Sequence, residues 1–124
     1  MSVHHAMAAA DALLPGQPAS EGCVDARWQA IIEVGDFVET APEDVWDFVA
    51  RWGCHPQEDV RAAIATCLLE HLLEHHFPLI FPRVEQLVHQ EPLFADTFRW
   101  CWVFGQAAQS TNAQRLAQLR RELE

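Results

Sequence analysis

The chain has 124 residues, half of them apolar, including five Trp and seven Phe. That is enough for one domain with its own core and too apolar for a disordered chain. Eighteen acidic residues stand against eight basic ones, a net charge of −10, which argues against nucleic acid or an anionic membrane as partner and favours a basic protein surface.

Residues 1–22 are rich in Ala and then in Pro, Gly and Ser, which predicts a flexible leader with at most a short helical turn before Pro15. From Val24 the pattern is helical. Val24, Trp28, Ile31, Gly35 and Val38 share one face of a first helix, and Gly35 on that face marks a close approach between helices. Thr40-Ala41-Pro42-Glu43 has the form of a capping box opening a second helix. Its stripe is Val45, Phe48, Val49 and Trp52, and Gly53 is suited to a left-handed cap at its end. A third, longer helix follows Pro56 and runs to about His76. Leu68 and Leu72 are predicted on its buried face and Glu70 on its exposed one. Pro78 and Pro82 lead into a short fourth helix with Val84, Leu87 and Val88. After Pro92, Phe94, Phe98, Cys101 and Trp102 mark a fifth, whose last turns, 100–104, are apolar all round and predict a central position. Ser110-Thr111-Asn112 is placed to cap a sixth, with Leu116, Leu119 and Leu123 on one face.

No segment alternates as a strand does. The expectation is an all-α domain over 23–124, about six helices joined by short turns, with starts near 25, 57 and 93 spaced like two-helix repeats. No apolar run approaches the roughly 20 residues needed to span a bilayer, and no secretory signal is evident. Cys23, Cys54, Cys67 and Cys101 form no C-x-x-C pair, which excludes the usual zinc-knuckle and thioredoxin spacings and fits a reducing cytoplasm.

Pro56-Gln57-Glu58-Asp59-Val60-Arg61-Ala62-Ala63, with Leu68 downstream, resembles the P-x-x-x-V-R-x-A core of HEAT repeats. Residues 67–77, 81–84, 94–98 and 104–106 are similar to a family of small uncharacterised bacterial proteins with a HEAT-like fold. The resemblance spans about Trp52 to Gln106 and implies a HEAT-like array of helical hairpins, with a compact bundle as the alternative. It implies no activity. In HEAT repeats an Asp commonly precedes the Pro and meets the Arg between neighbouring units; here His55 holds that place.

Three groups of residues carry candidate chemistry. His71-Leu72-Leu73-Glu74-His75 matches the inverted zinc-protease motif H-x-x-E-H, with two imidazoles four apart on one helix. Catalytic zinc needs a third protein ligand and second-shell support, and nothing in the context of Glu85, Glu91, Glu122 or Glu124 singles out one of them. No cofactor or metal is therefore expected, and His71 is predicted to donate to a neighbouring carboxylate or carbonyl at the core edge. Trp100-Cys101-Trp102 reads either as a stacking platform or as core. Between Glu33 and Asp59, finally, eight carboxylates face a single base, Arg51. Glu33, Asp36, Glu39, Glu43, Asp44 and Asp47 form a candidate acidic partner-binding face, with Trp46, off the apolar stripe, as its aromatic anchor. The expected function is a non-enzymatic immunity or inhibitor protein neutralising a basic toxin. A small metal hydrolase and an adaptor in a larger assembly are the alternatives.

Overall fold

In a computed structural model describing residues 1–20 and 22–124, the chain forms seven helical rods and, among the described residues, no strand. They are α1 (Val3–Leu13), α2 (Ala26–Gly35), α3 (Pro42–Trp52), a rod made of α4 (Glu58–Ile64), a π-helical segment (Ala65–Leu69) and α5 (Glu70–His75), then α6 (Phe77–Gln90), α7 (Pro92–Arg99) and α8 (Ser110–Glu122), with a 3₁₀ turn (Gly105–Ala108) before the last. None of these helices is long and apolar enough to cross a membrane. The rod 58–75 is the centre of the domain. α2, α3, α6, α7 and the 3₁₀ turn all pack against it, and Ile64, Leu68, Leu69 and Leu72 on it are completely buried.

The π segment has a local cause. Thr66 Oγ1 donates to the Ala62 carbonyl at 2.9 Å, and such back-bonding competes with the helical ladder. The Glu70 N–H then reaches Ala65 O, five residues back. One extra residue per turn slips the buried stripe, so Glu70, read as exposed from a regular 3.6-residue period, is only 5% exposed.

Several other elements differ from the sequence expectation. Residues 3–13 are not a flexible leader: Ser2 caps α1 by accepting the His5 N–H, and Val3, Ala6, Ala10 and Leu14 are buried against α2 and α3. This stripe is mostly alanine, which adds little to a hydropathy pattern but lets helices approach closely. Glu21, within the same expected leader, lies outside the described residues. Val24 is exposed, and Ala30 and Val34 join Ile31 on the buried face of α2 instead. Gly35 does mark a close approach, since a Cβ there would lie 3.2 Å from Cys67 O.

Thr40 does not cap α3. The N-cap is Ala41, no side chain bonds there, and Glu43 turns outward to Arg83 at 2.6 Å. Gly53 is right-handed, φ −68°, so its role is spatial: a Cβ would stand 2.6 Å from Val49 O and 2.9 Å from the Phe94 ring. α6 begins before both prolines; Pro82 sits inside it on the exposed side, where water can serve the carbonyl that loses its donor. At α8, Gln109 is the N-cap without a side-chain bond, while Leu116 and Leu119 are buried as predicted.

The starts of α2, α4 and α7 are joined by a row of ion pairs. Arg27, 3% exposed, reaches Asp25 at 2.9 Å and, at the start of α4, Asp59 at 2.5 Å and Gln57 at 2.9 Å. Arg61, 7% exposed, reaches Asp96 of α7 at 2.9 Å and also the His55 and Pro56 carbonyls. His55 thus holds Arg61 through its backbone, and its Nδ1 accepts the Gln57 N–H. Bidentate, almost fully satisfied guanidinium groups are the arrangement in which a buried cation is tolerated. The Arg27 contact holds the Asp25 carboxyl below the usual carboxylate range, against a smaller opposing effect of burial.

Candidate functional site

The predicted acidic residues sit on α2, the turn after it, and α3. Glu33, Asp36 and Asp47 are exposed and Asp44 is half-buried. Among the described residues, none of these four lies within ion-pair distance of a cation. Two others are engaged: Glu43 pairs with Arg83 of α6, and Glu39 faces His75 Nδ1 at 3.3 Å. Trp46 is not a surface anchor. It is 7% exposed and packs edge-on against Phe94, ring centroids 5.8 Å apart. Phe94 fills the side of α3 that a single apolar stripe left out, so α3 is buried on two faces.

The histidine motif closes on itself. His71 Nδ1 lies 2.9 Å from Glu74 Oε1, and His75 Nε2 lies 3.5 Å from the same oxygen. His71 also stacks on Phe104, with 9° between ring planes. The predicted imidazole–carboxylate contact is therefore present, and Glu74 is bracketed by two rings. Among the described residues, no three His, Cys, Asp or Glu side chains converge as a metal site. Beside the motif, His75, His76, Leu79, Gln109 and Asn112 line an open cleft of about 440 Å³.

Cys101 is buried and Cys54 and Cys67 are half-buried. Burial pushes Cys54, Cys67 and above all Cys101 up from the ordinary thiol range, which removes thiolate character at neutral pH.

The aromatic residues near the C-terminus divide between the two readings of Trp100-Cys101-Trp102: Cys101 lies in the core and both tryptophans at the surface. α7 stops at Arg99, and 101–104 run as an irregular segment, so the expected central helical turns do not exist. Three contacts hold the segment off the helix: Trp102 N–H points to Glu70 Oε1 at 3.4 Å, Arg120 Nη2 donates to Cys101 O at 2.6 Å, and Gly105 turns the chain with φ +51°. Cys101 is buried, while Trp100, Trp102 and Phe104 are 42%, 71% and 42% exposed. Arg99, Trp100, Cys101, Trp102 and Arg120 line a cleft of about 340 Å³. The contacts also bury Glu70, and that burial raises its carboxyl above the usual range despite the Trp102 N–H. The only hint in the sequence was the density of large aromatics in a helix that would have had to bury all of them.

No protein-family model, curated protein or solved structure matches this chain.

Proposed function

We propose that this chain is a non-enzymatic protein-binding module, a HEAT-like helical scaffold that neutralises a basic partner, such as a bacterial toxin, through its acidic α2–α3 surface. The observation that carries the reading is the unpaired group Glu33, Asp36, Asp44 and Asp47, set on helices whose neighbouring cations, Arg27, Arg51, Arg61 and Arg83, already hold other carboxylates. Surplus surface charge of one sign speeds encounter with a partner of the other. The Arg27–Asp59 and Arg61–Asp96 pairs support the repeat reading, because each joins one unit to the next at intervals of thirty-four and thirty-seven residues along the aspartates.

The test uses the product of the adjacent reading frame as partner. With Glu33, Asp36, Asp44 and Asp47 changed to Lys and the fold intact by circular dichroism, association should slow strongly, and wild-type association should slow as salt rises. Association that is unchanged by both would place the binding surface elsewhere.

A further inference from the structure

The cleft at the end of α7 has the opposite chemistry from the acidic surface. Of the eight arginines, Arg27, Arg51, Arg61 and Arg83 each meet an aspartate or glutamate. Arg99, Arg115, Arg120 and Arg121 meet none among the described residues, and of these Arg99 and Arg120 stand together at this cleft. Arg99 donates to the Leu123 carbonyl at the end of α8. Arg120 donates to Cys101 O and lies over the Phe98 ring at 5.5 Å. Its Nε is enclosed with no hydrogen-bond partner, and it is the single buried side-chain nitrogen or oxygen so placed among the described residues. A buried guanidinium nitrogen without an acceptor is unfavourable and calls for an oxygen nearby. Trp100 and Trp102 stand beside the two arginines, exposed on a segment anchored at both ends.

In a chain of net charge −10, two cations without acid partners next to two exposed indoles are a local inversion of character. Guanidinium groups offer paired donors to a carboxylate, and indole faces take an apolar or aromatic side chain at little conformational cost. Arg and Trp are also the residue types that dominate binding hot spots. We propose that this cleft docks a carboxylate-bearing peptide segment of a partner protein, with acidic residues on Arg99 and Arg120 and a neighbouring aromatic or aliphatic side chain on Trp100 and Trp102. The site is independent of the acidic α2–α3 surface. Together they give the chain two surfaces of opposite character, one for a basic surface and one for an acidic segment.

Calorimetric titration of the full chain with three probes tests this: a terminally blocked peptide alternating Glu and Phe, the same peptide with Gln for Glu, and a short oligo(dT). The Glu/Phe peptide should bind saturably and lose affinity at high salt. Arg99→Glu and Trp102→Ala should each weaken it by about tenfold or more, with unchanged circular dichroism and melting, since both altered side chains are exposed. Arg120→Gln should weaken it too, and Arg99→Glu keeps the test sound if that third variant fails to fold. Equal affinity for the Gln/Phe peptide would show that the arginines are not used. Tighter binding of oligo(dT) would make the cleft a nucleic-acid site. No saturable binding of the Glu/Phe peptide at millimolar concentration would remove the site. Any of these three results overturns the proposal, and none touches the acidic-surface reading, whose test uses other residues and a basic partner.

Discussion

At the starts of α2, α4 and α7, the buried arginines Arg27 and Arg61 end on aspartates of neighbouring helices and on backbone or amide oxygens. At the other end of α7, Arg99 and Arg120 end only on carbonyls, and Trp100, Trp102 and Phe104 turn outward beside them. The same residue types therefore perform different work in the two regions. In the first, charge is consumed in joining one helix to the next. In the second, charge and aromatic surface exceed what the fold uses. Phenylalanine shows the contrast too: Phe48, Phe77, Phe81, Phe94 and Phe98 are completely buried, whereas only Trp46 of the five tryptophans is in the core, and it keeps 7% exposure. Surface that could act on another molecule is found by asking which groups the interior has no use for.

Paired substitutions test that contrast, and the tryptophans should give the widest gap. Trp46→Ala should cost about 3–5 kcal/mol in chemical denaturation, as for a large buried aromatic, and Trp102→Ala less than about 0.5 kcal/mol. Similar losses from the two would mean that the 101–104 segment is part of the core. Next come the arginines. Arg27→Ala leaves Asp25 and Asp59 facing each other without their cation; breaking a buried pair costs about 3–5 kcal/mol, and partial exposure of Asp59 should hold this one near the lower figure. Arg99→Ala should change stability by well under about 1 kcal/mol. If Arg27→Ala were equally mild, the row of ion pairs would not be joining these helices.

Gly53→Ala should cost about 1–3 kcal/mol through overpacking, because its new methyl meets the Val49 carbonyl and the Phe94 ring, the same ring that seats Trp46. A neutral or stabilising result, read from the thermal midpoint, would show that α3 and α7 are less closely seated.

The smallest effect depends on pH. Glu70 has a folded-state pKa raised by burial above its ordinary 4.5. Between those two values the folded chain binds more protons than the unfolded one, so stability falls as pH rises through that window and the loss is complete above the folded pKa. Glu70→Gln keeps an oxygen for the Trp102 N–H and removes the buried charge. It should therefore melt higher than wild type at neutral pH and lose most of that advantage below about pH 4. A variant less stable than wild type at neutral pH would show that the carboxylate itself holds the segment.

Much of the architecture was legible because α3, α6 and α7 carry apolar stripes with a proline or glycine near an end, and α8 carries leucines at helical spacing. What was missed had physical causes that a period of 3.6 cannot carry. The α1 face is built of alanines, the Glu70 position follows from one extra residue at Ala65–Leu69, and the end of α7 is set by Glu70 and Arg120 reaching across from other elements. Asp25-x-Arg27 and Asp59-x-Arg61, thirty-four residues apart, were a readable sign of the ion pairs that join the starts of α2, α4 and α7. The acidic residues could be counted in the sequence, but not which had already been claimed: Glu43 by Arg83 and Glu39 by His75. The buried position of Trp46 depended on Phe94, forty-eight residues away.

The π segment bears on how insertions and deletions would act here. Removing one residue between Ala65 and Leu69 would let the rod close into an ordinary α-helix. The wide turn advances less per residue than the roughly 100° of an α-helix, so five ordinary steps from Ile64 to Glu70 would cover about the same arc as the six steps do now. His71, Glu74 and His75 would still face Glu39 and Phe104, and Glu70 would still face Trp102. The same excision in the regular stretch Glu58–Ile64 would instead turn everything after it by about 100° and swing the motif away from its partners. Tolerance of the central rod to a change of length is thus confined to the wide turn.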